Sequence, residues 1–304
     1  MSLWLIYCPL IVLSSLAGGF APHLVKLTHV RMQLAISFIG GAMLGVGLLN
    51  LLPHALYAWK PNVNAPVYWL LAGFLAMFFV ERVFHFHHHD APGETEHACG
   101  HEHHEGHVHE ESHHHGHEHQ SRRLTWPAAF VGLALHSALD GLALAASVRA
   151  ESQANWAGAV VFFVIFLHKP FDSLTLGTLM AVADRPTGQR HRVNVLYALA
   201  VPLGAALYNL VADRMGADGA HLTGAALAFS AGTFLCIATS DLLPELQFHS
   251  HDRGKLSLAL LAGVLLAALL AYFEEGSHSH EHDHAPAVHG EHTSHSDHDH
   301  ADSE

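Results

Sequence analysis

Residues 126–147 read WPAAFVGLALHSALDGLALAAS, and this stretch decides the class of fold. Almost all of its side chains are apolar or small, and the exceptions at its centre are His136, Ser137 and Asp140. A bilayer core about 30 Å thick needs roughly 20 apolar residues in one helix. The stretch therefore predicts a membrane-spanning helix that carries an ionisable pair near its middle.

The composition of the whole chain supports a membrane protein. Half of the 304 residues are hydrophobic and only 13% are charged, whereas soluble domains carry about 25% charged residues. Three cysteines at distant positions are too few for a disulfide framework. The sequence has no glycine-rich phosphate loop, so nothing in it indicates an ATP-driven pump.

Seven further stretches resemble the first in length and composition. Their interiors are rich in glycine and alanine, which lets helix backbones approach closely in lipid. The predicted fold class is therefore all-α, a polytopic membrane protein with eight transmembrane helices in a bundle. The predicted spans are residues 3–22, 34–56, 66–85, 126–147, 156–181, 193–213, 221–246 and 256–273.

The basic residues predict the orientation of these spans. An even number of spans leaves both ends of the chain on one side, and cytoplasmic loops usually carry the excess of lysine and arginine. With both ends outside, the inner loops hold most of the basic residues and the outer loops hold only Lys60, Arg149 and Arg214. We therefore expect both termini to be extracytoplasmic.

Two histidine-rich segments lack apolar periodicity, and we expect both to be disordered. The predicted organisation is residues 1–84 for spans one to three, 85–123 for a cytoplasmic His-rich loop, 124–273 for spans four to eight, and 274–304 for an extracytoplasmic His-rich tail. Imidazole binds borderline metals well, so auxiliary metal capture is the predicted role, against the alternative of no essential role. The candidate ligands in the loop are His101, His103, His104, His113, His114 and His115.

The chemistry of the chain is concentrated in two consecutive spans. Residues 136–140 read HSALD and residues 168–172 read HKPFD, so each span has a His-x-x-x-Asp pair on one helix face. A single pair of this kind is often only a hydrogen-bonded pair. Two facing pairs offer two nitrogens and two oxygens, a tetrahedral set that suits Zn²⁺. The predicted metal ligands are His136, Asp140, His168 and Asp172.

Other polar residues lie near the ends of the predicted spans, where they could relay a metal ion toward or away from the site or serve as ordinary interfacial residues. Asp241 and Glu245 have i,i+4 spacing at the predicted inner end of the seventh span. The candidate relay residues are Asn50, His54, Asn209, His221, Asp241 and Glu245.

The paired motifs resemble the signature helices of the ZIP (Zrt-, Irt-like) metal transporters. The stretch from Ser230 to Phe234, followed by Pro244 and Glu245, is also similar, as is the His-rich loop between spans three and four. The resemblance implies a metal uptake protein with its site between the fourth and fifth spans. It further implies a homodimer and an elevator-like motion of spans one, four, five and six against the others.

Two positions depart from the commonest pattern of that family. Asp140 stands where glutamate is frequent, and Lys169 stands where some members have an acidic ligand of a second metal. An ammonium group there could pair with Asp140 or Asp172, or Lys169 could instead extend to the membrane interface. We expect Lys169, with Ser137 beside the first ligand, to replace a second metal, so that each site binds one ion.

These features predict that the protein is not an enzyme and moves a divalent transition metal, most simply zinc, into the cytoplasm. Iron, manganese, cobalt, nickel and cadmium remain alternative cargoes, whereas calcium and magnesium prefer all-oxygen sites. An exporter of the cation-diffusion-facilitator type and an intramembrane zinc hydrolase are alternative functions. We expect no prosthetic group, no nucleic-acid partner, and a location in a prokaryotic plasma membrane.

Overall fold

The structure, a computed structural model, describes residues 3–20, 29–84, 126–152, 154, 156–216, 219–248 and 253–279. For residues 29, 84, 241–248 and 275–279 it describes the backbone only. Every regular element in these ranges is helical, which confirms the predicted all-α class. The whole His-rich loop, 85–123, and the tail from residue 280 onward lie outside the described residues, so their predicted disorder stays a prediction.

Within the described ranges, ten α-helices and one π-helical segment follow one another. They are α1 (Trp4–Phe20), α2 (His29–Val46), a π-helix (Gly47–Leu51), α3 (Leu52–Ala58), α4 (Asn64–Phe84), α5 (Trp126–Ala150), α6 (Ala159–Val182), α7 (Thr187–Ala198), α8 (Ala200–Arg214), α9 (Gly219–Phe248) and α10 (Arg253–Ser279).

In the part of the chain that the structure describes, seven helical stretches are long and apolar enough to cross a membrane, and α1, with 17 residues, is a shorter apolar helix. Two of the seven stretches combine several elements: α2 continues through the π-helix into α3, and α7 continues into α8. Together with α1 they correspond to the eight predicted spans, although several bounds differ. The last helix, for example, continues to Ser279, six residues past the predicted end.

Proline explains both interruptions. Pro202 has no N–H to donate to the Ala198 carbonyl one turn earlier, and α7 gives way to α8 between these two residues. In the second span, the N–H of Leu52 donates to the Gly47 carbonyl five residues back, just before Pro53. The sixth span is therefore two helices rather than the single helix that its apolar composition predicted.

The helices pack as two groups. In the first group α1 packs on α6 and α5 packs on α8, with α7 against α1 and α6. In the second group α2 packs on α10 and α4 packs on α9, with α3 also against α9. Contacts between the groups are fewer in total, although α5 contacts α9 more extensively than it contacts α6 of its own group.

Glycines set the closest helix approaches in the first group. A Cβ atom on Gly141 of α5 would collide with the Val201 carbonyl of α8, and one on Gly204 of α8 would collide with the Ala138 carbonyl of α5. The two backbones are therefore in direct contact where they cross. The crossing involves Ala138 and Gly141 of α5. These residues lie next to the candidate ligands, and Gly141 directly follows Asp140.

Candidate functional site

The two His-x-x-x-Asp pairs face each other across the contact between α5 and α6. His136 and Asp140 extend from α5, and His168 and Asp172 extend from α6. Asp140 is fully buried, and the two imidazoles are almost fully buried. The Asp172 side chain, with 14% of its surface exposed, is the most accessible of the four. The structure thus brings together all four residues that the sequence singled out.

Each imidazole Nε2 atom lies within 4.0 Å of an oxygen of both carboxylates. His168 Nε2 is 3.2 Å from Asp140 Oδ2 and 4.0 Å from Asp172 Oδ2. His136 Nε2 is 3.4 Å from Asp140 Oδ2 and 3.6 Å from Asp172 Oδ2. Ligands bonded to a tetrahedral Zn²⁺ at their usual lengths are about 3.3 Å apart, so the observed separations bracket the value that a bound ion requires.

The orientation of His168 leaves the correct nitrogen available for a cation. Its Nδ1 lies 2.9 Å from the Val164 carbonyl oxygen, which can only accept a hydrogen bond. Nδ1 therefore carries the ring proton in neutral imidazole, and the lone pair is on Nε2, the atom that points at Asp140. A backbone carbonyl that fixes the tautomer in this way is typical of metal-binding histidines.

Asp140 has a second oxygen with no hydrogen-bond partner. The residue has no exposed surface, and its Oδ1 atom has no hydrogen-bond donor. Buried carboxylate oxygens without a donor are costly and rare. His136, Asp140 and His168 also form a group whose ligand atoms all lie within 4.8 Å of one another. The donor set and the unpaired oxygen both fit a cation.

Lys169 lies inside the same cluster. Its ammonium group donates to Asp140 Oδ2 at 2.5 Å, to Asp172 Oδ2 at 2.9 Å and to Ser137 Oγ at 3.1 Å. Lys169 has only 1% of its surface exposed, so it does not extend to an interface. With neutral imidazoles, the two carboxylates and this ammonium leave the cluster one negative charge in excess.

Tyr197 of α7 completes the cluster, and sequence reasoning missed it. Its hydroxyl donates to Asp172 Oδ2 at 3.0 Å and accepts a hydrogen bond from Ser137 Oγ at 2.8 Å. A signal was present in the sequence, because a tyrosine inside an apolar span needs a partner for its hydroxyl. The partner itself could not be read from local spacing, since Tyr197 and Ser137 are 60 residues apart.

Helix α1 supports the α6 side of the site. Pro170 has no N–H, so the carbonyl of Phe166 lacks its helical donor, and Ser14 Oγ of α1 donates to that oxygen at 2.7 Å. Gly18 lies against the backbone of Pro170 itself. Ser15 and Ser173 share a hydrogen bond of 2.7 Å. The irregular turn that precedes Asp172 is thus held by three small residues of α1.

Four of the candidate relay residues have partners outside this cluster. Asn50 Nδ2 donates to Glu274 of α10 at 2.6 Å, and His54 Nδ1 lies 2.8 Å from the Asn50 carbonyl. Asn209 donates to the Ala205 carbonyl of its own helix, and the His221 ring packs on Trp59 at 4.6 Å.

The remaining sequence candidates cannot be placed in the same way. Asp241 and Glu245 lie on α9 in the stretch where only the backbone is described. The candidate histidines of the His-rich loop, His101 to His115, lie outside the described residues.

Comparison with known proteins gives a consistent result. The family model described as "ZIP Zinc transporter" matches residues 1–271. Zinc transporter ZIP9-B of Xenopus laevis is 32% identical over 160 residues, which cover 49% of this chain and 52% of that protein. Zinc transporter zipt-7.1 of Caenorhabditis briggsae is 26% identical over 315 aligned positions, covering 89% of this chain and 76% of that protein.

Zinc transporter SLC39A7 of Homo sapiens is 30% identical over 146 residues, covering 46% of this chain and 30% of that protein. The chain thus spans about half the length of the ZIP9 relative and less of SLC39A7. These relatives are animal proteins, and the prokaryotic membrane predicted above stays a prediction. The family match over nearly the whole chain, together with the paired His-x-x-x-Asp helices, shows that this protein belongs to the ZIP zinc transporter family.

Proposed function

We propose that this protein carries zinc across a membrane into the cytoplasm, and that the ion binds His136, Asp140, His168 and Asp172 between α5 and α6. The observation that carries the proposal is the set of four imidazole–carboxylate N···O separations, 3.2 to 4.0 Å, which lie around the edge length of a tetrahedral zinc site. Two imidazole nitrogens among the donors favour a transition metal over calcium or magnesium.

Lys169 supports a site that takes one metal ion at a time. Its ammonium donates to both carboxylates, so a positive charge already stands beside the ligand set where a second cation would have to bind. A second divalent ion would meet strong repulsion from this charge at short range. The incoming zinc competes with Lys169 for the lone pairs of Asp140 and Asp172, which keeps the carboxylates from holding the ion too tightly for release.

The packing of the helices supports an elevator-like motion. Helices α1, α5, α6, α7 and α8 form the first group, and they correspond to spans one, four, five and six. All four ligands belong to this group, so a movement of the group against α2, α3, α4, α9 and α10 would carry the ion without dismantling its shell. In such a motion the contact of α5 with α9, the most extensive one between the groups, would have to slide.

Uptake of zinc into proteoliposomes tests the site. We expect His136→Ala and Asp172→Ala to reduce uptake of radiolabelled zinc to the level of protein-free vesicles, because each removes one of four ligands. Asp213→Asn is the matched control, because this carboxylate is exposed and pairs with Arg149 rather than with a candidate ligand. Undiminished uptake in both ligand variants would contradict the proposed site.

The direction of transport needs a separate experiment. Cells that express the protein should accumulate zinc from the medium faster than cells that express His136→Ala at the same level. Faster loss of zinc from preloaded cells, with no accumulation, would favour the exporter alternative. Homodimer formation and extracytoplasmic termini are further parts of the proposal, and cross-linking and terminal reporter fusions in the same cells would test them.

A further inference from the structure

A closed ring of hydrogen bonds runs through the site and has one possible direction. Lys169 Nζ donates to Ser137 Oγ, Ser137 donates to the Tyr197 hydroxyl, and Tyr197 donates to Asp172 Oδ2. Lys169 closes the ring by donating to the same Asp172 oxygen at 2.9 Å. An ammonium group can only donate and a carboxylate can only accept, so the two hydroxyl protons between them have their positions fixed.

Tyr197 is closely packed at its place in this ring. Only 1% of its surface is exposed, and its aromatic ring packs with Leu133 of α5 and Leu176 of α6 in a small apolar cluster. Its hydroxyl thereby joins three helices, since Ser137 belongs to α5 and Asp172 to α6. A side chain packed on all sides holds a hydrogen-bonded ligand in place better than a lysine with its flexible stem does.

Asp172 depends on such a hydrogen-bond donor for its position more than the other three ligands do. It is the most exposed ligand, and its Oδ2 atom is the one that lies 3.6 Å from His136 Nε2 and 4.0 Å from His168 Nε2. These are the two longest of the four separations around the site. Without the tyrosine, the donor to Oδ2 in the ring would be Lys169 alone, which also donates to Asp140 and pulls the two carboxylates toward each other.

We propose that Tyr197 is a positioning residue for the metal, which raises affinity by holding Asp172 Oδ2 in the direction of the two imidazole nitrogens. Ser137 acts through Tyr197. It donates to the tyrosine oxygen, so the tyrosine proton is directed toward Asp172. The inference rests on the proposed function, since it assigns Tyr197 a role only if Asp172 binds zinc. Outer partners of metal ligands typically contribute about 10-fold to 100-fold in affinity.

The test is zinc affinity of the purified full-length protein in detergent, measured by competition with a chromophoric chelator. Tyr197→Phe keeps the aromatic ring, and with it the contact of the Lys169 ammonium 5.9 Å from the ring centroid, but removes the hydroxyl. We expect it to weaken zinc binding about 10-fold. Tyr208→Phe is the matched control, because the Tyr208 hydroxyl is also buried but bonds to Thr223 at 2.8 Å. We expect this control to keep wild-type affinity.

A double-mutant cycle identifies the path of the effect. In an Asp172→Asn background, Tyr197→Phe should cause no further loss, because the ligand that the tyrosine positions has already been removed. The absorption spectrum of bound Co²⁺ gives a second readout, and we expect Tyr197→Phe to shift it toward the spectrum of Asp172→Asn. A tyrosine that acts only on folding would leave the Co²⁺ spectrum unchanged.

Two results would overturn the inference. One is an affinity of Tyr197→Phe within about twofold of wild type, the least that a hydrogen bond contributes. The other is an equal loss in the presence and absence of the Asp172 carboxylate. If Tyr197→Phe does not fold, Ser137→Ala replaces it, and an unchanged affinity in that variant has the same consequence. Failure of the proposed function would give a different result from failure of this inference. If Asp172 does not bind zinc, Asp172→Asn itself would leave zinc affinity unchanged.

Discussion

Lys169 is buried among apolar helices, and each of its three ammonium protons has an acceptor: Asp140 Oδ2, Asp172 Oδ2 and Ser137 Oγ. The sequence left open whether this lysine extends to the membrane interface or pairs with a carboxylate. Burial of 99% of its surface and three short contacts decide between these alternatives. At the residue scale, the lysine therefore acts as an internal counter-ion to the two candidate ligands.

Replacement of Lys169 by methionine tests this role. The substitution keeps the volume but removes the charge, which leaves two carboxylates facing each other in the protein interior. We expect metal-free Lys169→Met to lose about 3–5 kcal/mol of stability. Added zinc should recover part of the loss, since the ion supplies the missing positive charge. Thermal unfolding in detergent with and without zinc measures both effects.

Lys60→Met is the control for that experiment, because Lys60 is exposed and its ammonium lies over the Tyr57 ring rather than beside a carboxylate. It should unfold like wild type in both conditions. An equal loss of stability for Lys169→Met with and without zinc would show that the lysine and the metal do not act on the same carboxylates.

At the element scale, the position of the site depends on how closely α5 and α8 cross. Gly141 and Gly204 each face a backbone carbonyl of the other helix, so neither position has room for a methyl group. Asp140 is the neighbour of Gly141, and a shift of α5 would move it relative to α6. The crossing therefore sets one side of the ligand set, and Ser14 and Gly18 of α1 set the other through Pro170.

Gly204→Ala tests the importance of this crossing. The added methyl group has to displace the backbone of α5 at Ala138, and overpacking of this kind costs about 1–3 kcal/mol. We expect a lower unfolding temperature together with weaker zinc binding, because Asp140 moves with α5. Gly177→Ala is the matched control in a membrane helix, since the nearest atom to its Cβ would be 3.9 Å away. Equal effects of the two substitutions would contradict the interpretation.

At the scale of the whole molecule, the proposed elevator-like motion would move the first group of helices against the second. The hydrogen bond between Ser15 of α1 and Ser173 of α6 lies within the first group. The hydrogen bond between Tyr208 of α8 and Thr223 of α9 joins the two groups. An elevator-like motion preserves the first contact and alters the second.

A disulfide between α1 and α6 tests the rigidity of the first group. The Ser15 and Ser173 oxygens are 2.7 Å apart, so cysteines at these positions are close enough to form a bond. In a background without Cys8, Cys99 and Cys236, we expect oxidised Ser15→Cys/Ser173→Cys to transport zinc at the rate of the reduced form. Loss of uptake on oxidation, reversed by a reductant, would mean that α1 and α6 move relative to each other.

The sequence determined the helices and the four candidate ligands. Apolar length predicts a span, and i,i+4 spacing puts His136 with Asp140, and His168 with Asp172, on one face each, because both signals are local to a single helix. The break near Leu199 was also encoded locally, by Pro202, although the apolar composition of the span hid it.

The surroundings of the four candidate ligands depend on contacts between helices that are distant in the sequence. Tyr197 contacts Asp172 across 25 residues, Ser137 bonds to Tyr197 across 60, and Ser15 bonds to Ser173 across 158. No regular spacing in the sequence predicts such pairs, because they depend on the angle and distance at which separate helices cross. Those crossings are set by glycines that bring backbones into contact, and they turn two helix faces into one enclosed cluster.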